Sequence, residues 1–260
     1  MHRLGLTLFL PLFLAGCALH PSPQLLPSGS EVVGVLRGDH RWQGEVTLAG
    51  DLLIPAGSSL EIAAGTTVFI RPSNSTRIDP EYLSPATEFL VRGRLRVMGE
   101  KGEMVRFLPE SEIEGEAAWG GILIDGGEAT LQHAEIVAAE TGLLALESAP
   151  QLEAVLIRNH RYGVVSQGGG VPKLNACRIE AGEAGRLCWG GGGNLVDSVV
   201  RGNEEEGVTL AADCRAELTG NRIEKNGIGL VTSGGVPQAW QAQLRENGED
   251  LRLLLPGVKE

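Results

Sequence analysis

Three groups of side chains in this 260-residue sequence have the types and spacing for recognition or catalysis. Asn159-His160-Arg161-Tyr162 sets an imidazole, a guanidinium and a phenol side by side, the groups that stack on a sugar ring and hydrogen-bond its hydroxyls. The same residues also suit a solvated turn whose tyrosine shields a corner. Arg71, Arg77, Asp79, Glu81 and Tyr82 offer a similar mixture within a Pro- and Ser-rich stretch, a loop composition that serves either recognition or plain coverage. Glu110, Glu112, Glu114 and Glu116 alternate, and Glu204-Glu205-Glu206 is the other dense acidic run. Calcium would need several of these oxygens to converge; two solvated faces are the simpler reading. Gly190 to Gly193 lacks the Lys-Ser/Thr of a phosphate loop and reads as turn material. There is no Cys-x-x-Cys or Cys/His cluster, and the five histidines and three methionines are a thin supply for another metal site. No cofactor and no metal are expected.

The N-terminus carries the most specific local signal. Arg3 supplies a positive start, and Leu4 to Leu14 is an apolar run, broken by Pro11, that is too short to span a bilayer. Leu14-Ala15-Gly16-Cys17 follows. It resembles a bacterial lipobox, which implies cleavage before Cys17, lipidation of that cysteine and a stable membrane anchor. Ala18 in the next position resembles outer-membrane sorting. With Cys17 assigned to lipid, Cys177, Cys188 and Cys214 remain. Three thiols cannot all pair, so at least one is free or bridges two chains. Small buried core thiols are the favoured reading.

Residues 129–253 must position these groups, and they repeat. A first apolar position falls at Leu131, Leu152, Leu174, Leu195 and Leu218, with steps of 21, 22, 21 and 23. A second falls at Ile136, Ile157, Ile179, Val200, Ile223 and Leu244. A glycine follows at Gly142, Gly163, Gly185, Gly207 and Gly229. A period near 22 with strands of three to five residues is one coil of a solenoid, each coil about 4.8 Å from the next. Glycine, or asparagine tolerating a left-handed conformation, would turn the chain between sheets. Asn159, Asn203, Asn226 and Asn247 occupy nearly one column, at ordinary turn positions. Glu135 to Leu156 is rich in Ala, Glu and Leu and by propensity alone reads as helix; its columns match coils that cannot be helical, so register overrides propensity. Upstream, Val46-Thr-Leu48, Leu60-Glu-Ile62, Val68-Phe-Ile70, Leu95-Arg-Val97 and Ile122-Leu-Ile124 alternate as strands do. Thirty-seven glycines, about twice the average share of ~7%, fit such a turn-rich fold.

The stretch from Leu52 to Ile70, and Trp119-Gly-Gly-Ile-Leu-Ile, resemble the opening coils of bacterial right-handed β-helix surface proteins. The asparagine column resembles the ladder of pectate-lyase-type β-helices. The expected fold is therefore all-β: a single right-handed parallel β-helix solenoid of about nine coils with end caps. Residues 1–16 would be a removed signal peptide, 17–43 a lipidated tether and N-terminal cap, and 44–255 the β-helix, with loop insertions at 71–88 and 109–118. The tail from Trp240 to Leu255 would cover the last coil, where strand edges would otherwise lie open.

Function is less legible, because many activities share this scaffold. The galacturonan hydrolases it resembles carry Asp-Asp and Gly-His-Gly, and neither occurs here. Arg178-Ile179-Glu180 and Arg222-Ile223-Glu224 are partial echoes of their Arg-Ile-Lys, with an acid in place of lysine. The Trp-Ile-Asp-His of the pectate lyases is missing. No catalytic residue is assigned. The formal charge is 22 − 33 = -11, and -12 without Arg3; no basic patch is visible in the sequence, which excludes nucleic acid as a partner and disfavours polyanionic sugars. The expected role is a noncatalytic, lipid-anchored scaffold of the cell envelope, at the outer membrane, binding glycan or protein. Arg71, Arg77, Asp79, Tyr82, His160, Arg161 and Tyr162 are the candidate binding residues. A polysaccharide lyase or hydrolase is the first alternative and would place two carboxylates in one groove. A periplasmic metal-handling or maturation accessory is the second.

Overall fold

The computed structural model describes residues 22–72, 84–111, 117–211 and 213–254. Cys17, Arg77, Asp79, Glu81, Tyr82, Glu112, Glu114 and Glu116 lie outside them. The described chain is a parallel β-helix, with three short strands per coil stacked on those of the coil before. Face A holds nine strands, from Gln24–Leu26 to Arg215–Thr219. Face B runs through Thr67–Ile70, Val105–Pro109, Ala134–Val137, Leu156–Arg158, Arg178–Glu180, Val199–Arg201, Arg222–Glu224 and Leu244–Arg245. Face C runs through Glu88–Val91, Trp119–Asp125, Ala139–Leu146, Tyr162–Gln167, Ala184–Trp189, Glu206–Leu210, Ile228–Thr232 and Glu249–Leu253. In the first two coils Ser30–Val35 and Glu45–Ile54 bend to serve both B and C.

The apolar columns read from the sequence are the register of these sheets. On face A, Leu131 pairs with Leu152, then Leu174, Leu195 and Leu218. The column extends backward through Val97, Ile62 and Trp42 to Leu26. On face B, Ile136 leads through Ile157, Ile179, Val200 and Ile223 to Leu244. These side chains fill the shaft, where each fully buried aliphatic contributes about 1.5–3 kcal/mol. The early coils use larger groups. Trp42, Phe89, Phe107 and Trp119 follow one another with ring centroids 6.2, 6.3 and 6.5 Å apart. The helix-prone segment Glu135 to Leu156 is strand and turn throughout, because its side chains complete these columns.

The ends differ from expectation. Residues 24–35 form a first coil, ahead of the expected boundary at 44. At the other end, a short helix, Gln238–Gln241, stands between the last strand of face A and a final pair of B and C strands. Its Trp240 packs against the core. The tail thus both covers the shaft and continues it, giving a rod of about 43 Å over nine coil steps.

The glycine column serves space rather than turning. A Cβ on Gly163 would lie 2.4 Å from Gly185 O and from Ile179 Cγ2, and one on Gly185 would lie 2.6 Å from Gly207 O. The turn is made earlier, at the B–C corner, by Ala138, Asn159, Ala181, Gly202, Lys225 and Glu246, all with φ between 54° and 63°. Most are not glycine, so neighbouring coils must offset a conformational cost of about 1–2 kcal/mol at each L residue.

Buried amides supply part of that compensation. The Asn203 Nδ2 amide donates to Asn226 Oδ1 at 2.8 Å, and Asn226 Nδ2 donates to Asn247 Oδ1 at 3.0 Å. The expected ladder therefore holds for three of its four members. Asn159 is displaced by one residue: it takes the left-handed position, and His160 occupies the column beneath Gly182. A second ladder, not foreseen, lines the A–B corner. The Asn221 Nδ2 amide donates to Gln243 Oε1 at 2.8 Å, Ser198 N to Asn221 Oδ1 at 3.0 Å, and Cys177 N to Ser198 Oγ at 3.0 Å.

Two further features correct the cysteine reading and the view of a purely aliphatic core. Cys188 and Cys214 form a disulfide, closing a separation of 26 residues; Cys177 is the free thiol among the described residues, and burial raises its pKa to about 11. Arg186 stands in the inward column between Val164 and Val208. Its guanidinium donates to Ser166 Oγ at 3.0 Å, Gly192 O at 2.7 Å, Val164 O at 3.4 Å and Leu187 O. Full burial lowers it to about 10.

Candidate functional site

Arg71, His160, Arg161 and Tyr162 all lie on the B–C edge of the rod, where each coil passes from face B to face C. Arg71 ends the third strand position of face B and Arg161 follows the sixth, so three coil steps of about 4.8 Å separate them by ~14 Å. They share an edge without touching. The Arg71 guanidinium donates to both Glu110 oxygens, at 2.9 and 3.1 Å, and to Glu31 Oε1 at 2.8 Å. Glu31 is held below its ordinary value by the hydrogen bond and charge of Arg71, and Arg71 is raised in turn. It clamps three coils.

His160 does not face a ligand. It is 5% exposed and points into the shaft; neither ring nitrogen has a hydrogen-bond partner. Burial lowers its pKa from 6.5 to about 4, so it is neutral near pH 7. The reason for the correction is phase: two residues past Ile157 the chain turns out, and three past it the side chain returns inside.

Arg161 and Tyr162 do reach the surface. The Arg161 guanidinium sits over the Tyr162 ring, 4.9 Å from its centroid. It lies between carboxylates of the flanking coils, 3.2 Å from Glu183 and 3.8 Å from Glu140. Tyr162, Glu183 and Glu140 all raise its pKa, Tyr162 most. Partial burial raises the Tyr162 phenol.

The same edge holds a groove of about 170 Å³, lined by the carboxylates Glu88 and Glu140 and by the apolar Leu123 and Leu144 among others. It exists because one coil contributes Gly120-Gly121 where others carry side chains. A Cβ on Gly120 would sit 2.8 Å from Ser84 Cβ, and one on Gly121 only 1.6 Å from Thr141 O. Ser84 bridges the acids: its N–H donates to Glu88 Oε1 at 3.3 Å and its hydroxyl to Glu140 Oε2 at 3.0 Å. Glu88 and Glu140 were not singled out in the sequence, where no motif marks either. Among the described residues, no three His, Cys, Asp or Glu side chains form a group that could hold a metal ion.

A second surface, face B, gathers arginines that the net charge of the chain conceals. The residues flanking the inward column of face B point outward, and from Val105–Pro109 to Leu244–Arg245 they include Arg106, Arg158, Arg178, Arg201, Arg222 and Arg245 against Glu135, Glu180 and Glu224. Glu135 lies 3.4 Å from Arg106 and 2.9 Å from Arg158; Glu180 lies 2.7 Å from Arg178 and 2.8 Å from Arg201. Burial pushes Glu180 up, but the hydrogen bonds and charges of the two arginines outweigh it and hold the carboxyl below its ordinary value. The glutamate side chains are 12–17% exposed and those of five arginines 36–52%, so solvent meets mostly guanidinium. Arg178-Ile179-Glu180 and Arg222-Ile223-Glu224 belong to these ion-pair rows. The signal was present: each arginine sits one residue before or after a member of the second apolar column.

Comparison of the chain with protein-family models, with curated proteins and with solved structures returns no match. The stacked parallel coils define an all-β solenoid of the parallel β-helix class.

Proposed function

We propose that this chain is a noncatalytic lipoprotein of the bacterial cell envelope, a pectate-lyase-like β-helix anchored through Cys17 at the outer membrane and offering its B–C edge to a glycan. One observation carries the binding half of this reading: the groove between Glu88 and Glu140 opens beside Arg161 and Tyr162 on the same edge. Carboxylates, a guanidinium, hydroxyls and an aromatic ring over an apolar floor suit hydroxyl-rich ligands, and the acidic groove favours neutral or amino sugars over uronates. The Cys188–Cys214 disulfide supports export, since such bonds persist in oxidising compartments. A glycan array probed with the lipid-free chain beginning at Ala18 tests the reading. Binding to a defined neutral or amino glycan, weakened at least tenfold by Tyr162→Ala or Glu140→Gln, is expected. No glycan bound, or binding indifferent to both changes, would overturn it.

A second reading is favoured by the same groove. A polysaccharide hydrolase or lyase needs two carboxylates facing one cleft, and Glu88 and Glu140 line this one together. Both Glu140 oxygens are already engaged, by the Ser84 hydroxyl and by Arg161, which is the surrounding of a structural carboxylate. Turnover of any array-positive polysaccharide, abolished by Glu140→Gln or Glu88→Gln alone, would establish the enzyme instead.

A further inference from the structure

We propose that the outer side of face B is a docking surface for a bilayer carrying anionic phospholipid headgroups. The positions of its arginines carry the inference. Arg158, Arg178, Arg201, Arg222 and Arg245 come from five successive coils, one per coil, and the paired register places them alternately in two adjacent columns. With coils about 4.8 Å apart, these guanidiniums form a zigzag roughly 19 Å long and two columns wide. Glu180 and Glu224 are tucked between them with side chains 17% and 12% exposed. The glutamates therefore set the arginine rotamers while the positive ends remain outward.

The occupant follows from charge and shape. The chain is acidic overall, at -11, and Glu140, Glu183, Glu205 and Glu206 collect on the neighbouring B–C edge. An anionic surface would thus be met by face B and repelled by the adjoining edge, which fixes the orientation of the rod. The Glu88–Glu140 groove sits at a corner of the coil, as does another lined by Gly93 and Gly127; the arginines occupy a sheet face, which suits a plane of phosphates better than a threaded polymer. Guanidinium pairs with phosphate through two parallel hydrogen bonds, and the partly exposed Leu156 and Val199 lie between the charges. Docking requires no lipid on Cys17. Where the anchor is present, the link from Cys17 to Gln24 spans at most about 25 Å, which holds the rod within reach of the same surface.

The test uses the lipid-free chain beginning at Ala18 and sedimentation with vesicles of phosphatidylglycerol and phosphatidylcholine, against pure phosphatidylcholine, at low ionic strength. Binding to the anionic vesicles alone is expected, falling with salt. Each basic side chain near such a surface is worth about fivefold in partitioning, so Arg178→Gln/Arg201→Gln/Arg222→Gln should lose on the order of a hundredfold, and the triple lysine variant should keep most of the binding. Arg94→Gln/Arg96→Gln on face A should bind as the parent does. Should the glutamine triple misfold, Glu180→Gln/Glu224→Gln reads the effect in the opposite direction and should bind more tightly. No binding to anionic vesicles, an equal loss in the face A variant, or binding to a soluble polyanion such as dextran sulfate but not to vesicles would overturn the proposal. Since the vesicles contain no glycan and the chain no lipid, this outcome is independent of the array and of Cys17.

Discussion

His160→Leu should make the protein less sensitive to acid. The ring is buried beneath Gly182 with both nitrogens partnerless, and its pKa falls from 6.5 to about 4. Between those values the unfolded chain binds a proton that the folded chain refuses, so stability declines as pH falls from about 6.5 toward 4 and rises as pH rises. The shift of about 2.5 units corresponds to roughly 3 kcal/mol in full, at 1.36 kcal/mol per unit, and to roughly 2 kcal/mol of it between pH 7 and pH 5. Leucine leaves no partnerless nitrogen behind, so its cost near neutrality should be small. Urea midpoints of parent and variant at pH 7 and pH 5 give the comparison. The parent should lose about 2 kcal/mol more than the variant over that interval. Parallel pH profiles would refute the burial of a neutral imidazole, and loss of ligand binding with unchanged stability would return His160 to the surface site.

Other outcomes follow from the same structure. Asn226→Ala removes two donated and two accepted hydrogen bonds inside the shaft and should cost about 3 kcal/mol or more, whereas Asn247→Ala, which removes as many at a half-buried position, should cost less; denaturant titration reads both, and hydrogen exchange at the Asn203 amide should quicken in Asn226→Ala. Cys188→Ser/Cys214→Ser should destabilise by about 3 kcal/mol, from release of a 26-residue separation, and a reductant should then have no further effect on its melting temperature. Arg186→Lys should be worse than Arg186→Met, by about 2 kcal/mol in urea unfolding, because lysine keeps the buried charge and loses the fork that satisfies it.

The shaft is legible in the sequence because aliphatic residues must recur once per coil to fill it. Leu131 to Leu218 and Ile136 to Leu244 are evident from spacing alone, and they outweigh the helical propensity of Glu135 to Leu156. Features specified by phase or by pairing are harder to see. Asn159 and His160 differ by one position, and corner length alone decides which enters the shaft. Cys177, Ser198, Asn221 and Gln243 share a column but not a residue type, so no repeated letter betrays their ladder. Arg186 is a single break in an apolar column. The disulfide depends on which corners of successive coils meet, which spacing along the chain does not state. The arginine face escapes because net charge averages over sides that the coil separates. Of the candidate site, Arg161 and Tyr162 read as surface groups, but Glu88 and Glu140 lie far apart in the sequence and come together on the two strands that flank Trp119–Asp125, with Ser84 bridging them.

Coil register underlies both proposed surfaces, and an engineered disulfide tests it most directly. Thr130 and Gln151 are paired on the outer side of face A, in neighbouring coils about 4.8 Å apart, within reach of a disulfide, whereas Thr130 and Glu153 are offset by two residues and out of reach. Thr130→Cys/Gln151→Cys should cross-link spontaneously within one chain and raise the melting temperature, while Thr130→Cys/Glu153→Cys should stay reduced. Cross-linking of the second pair and not the first, or of both equally, would contradict the stacked coils.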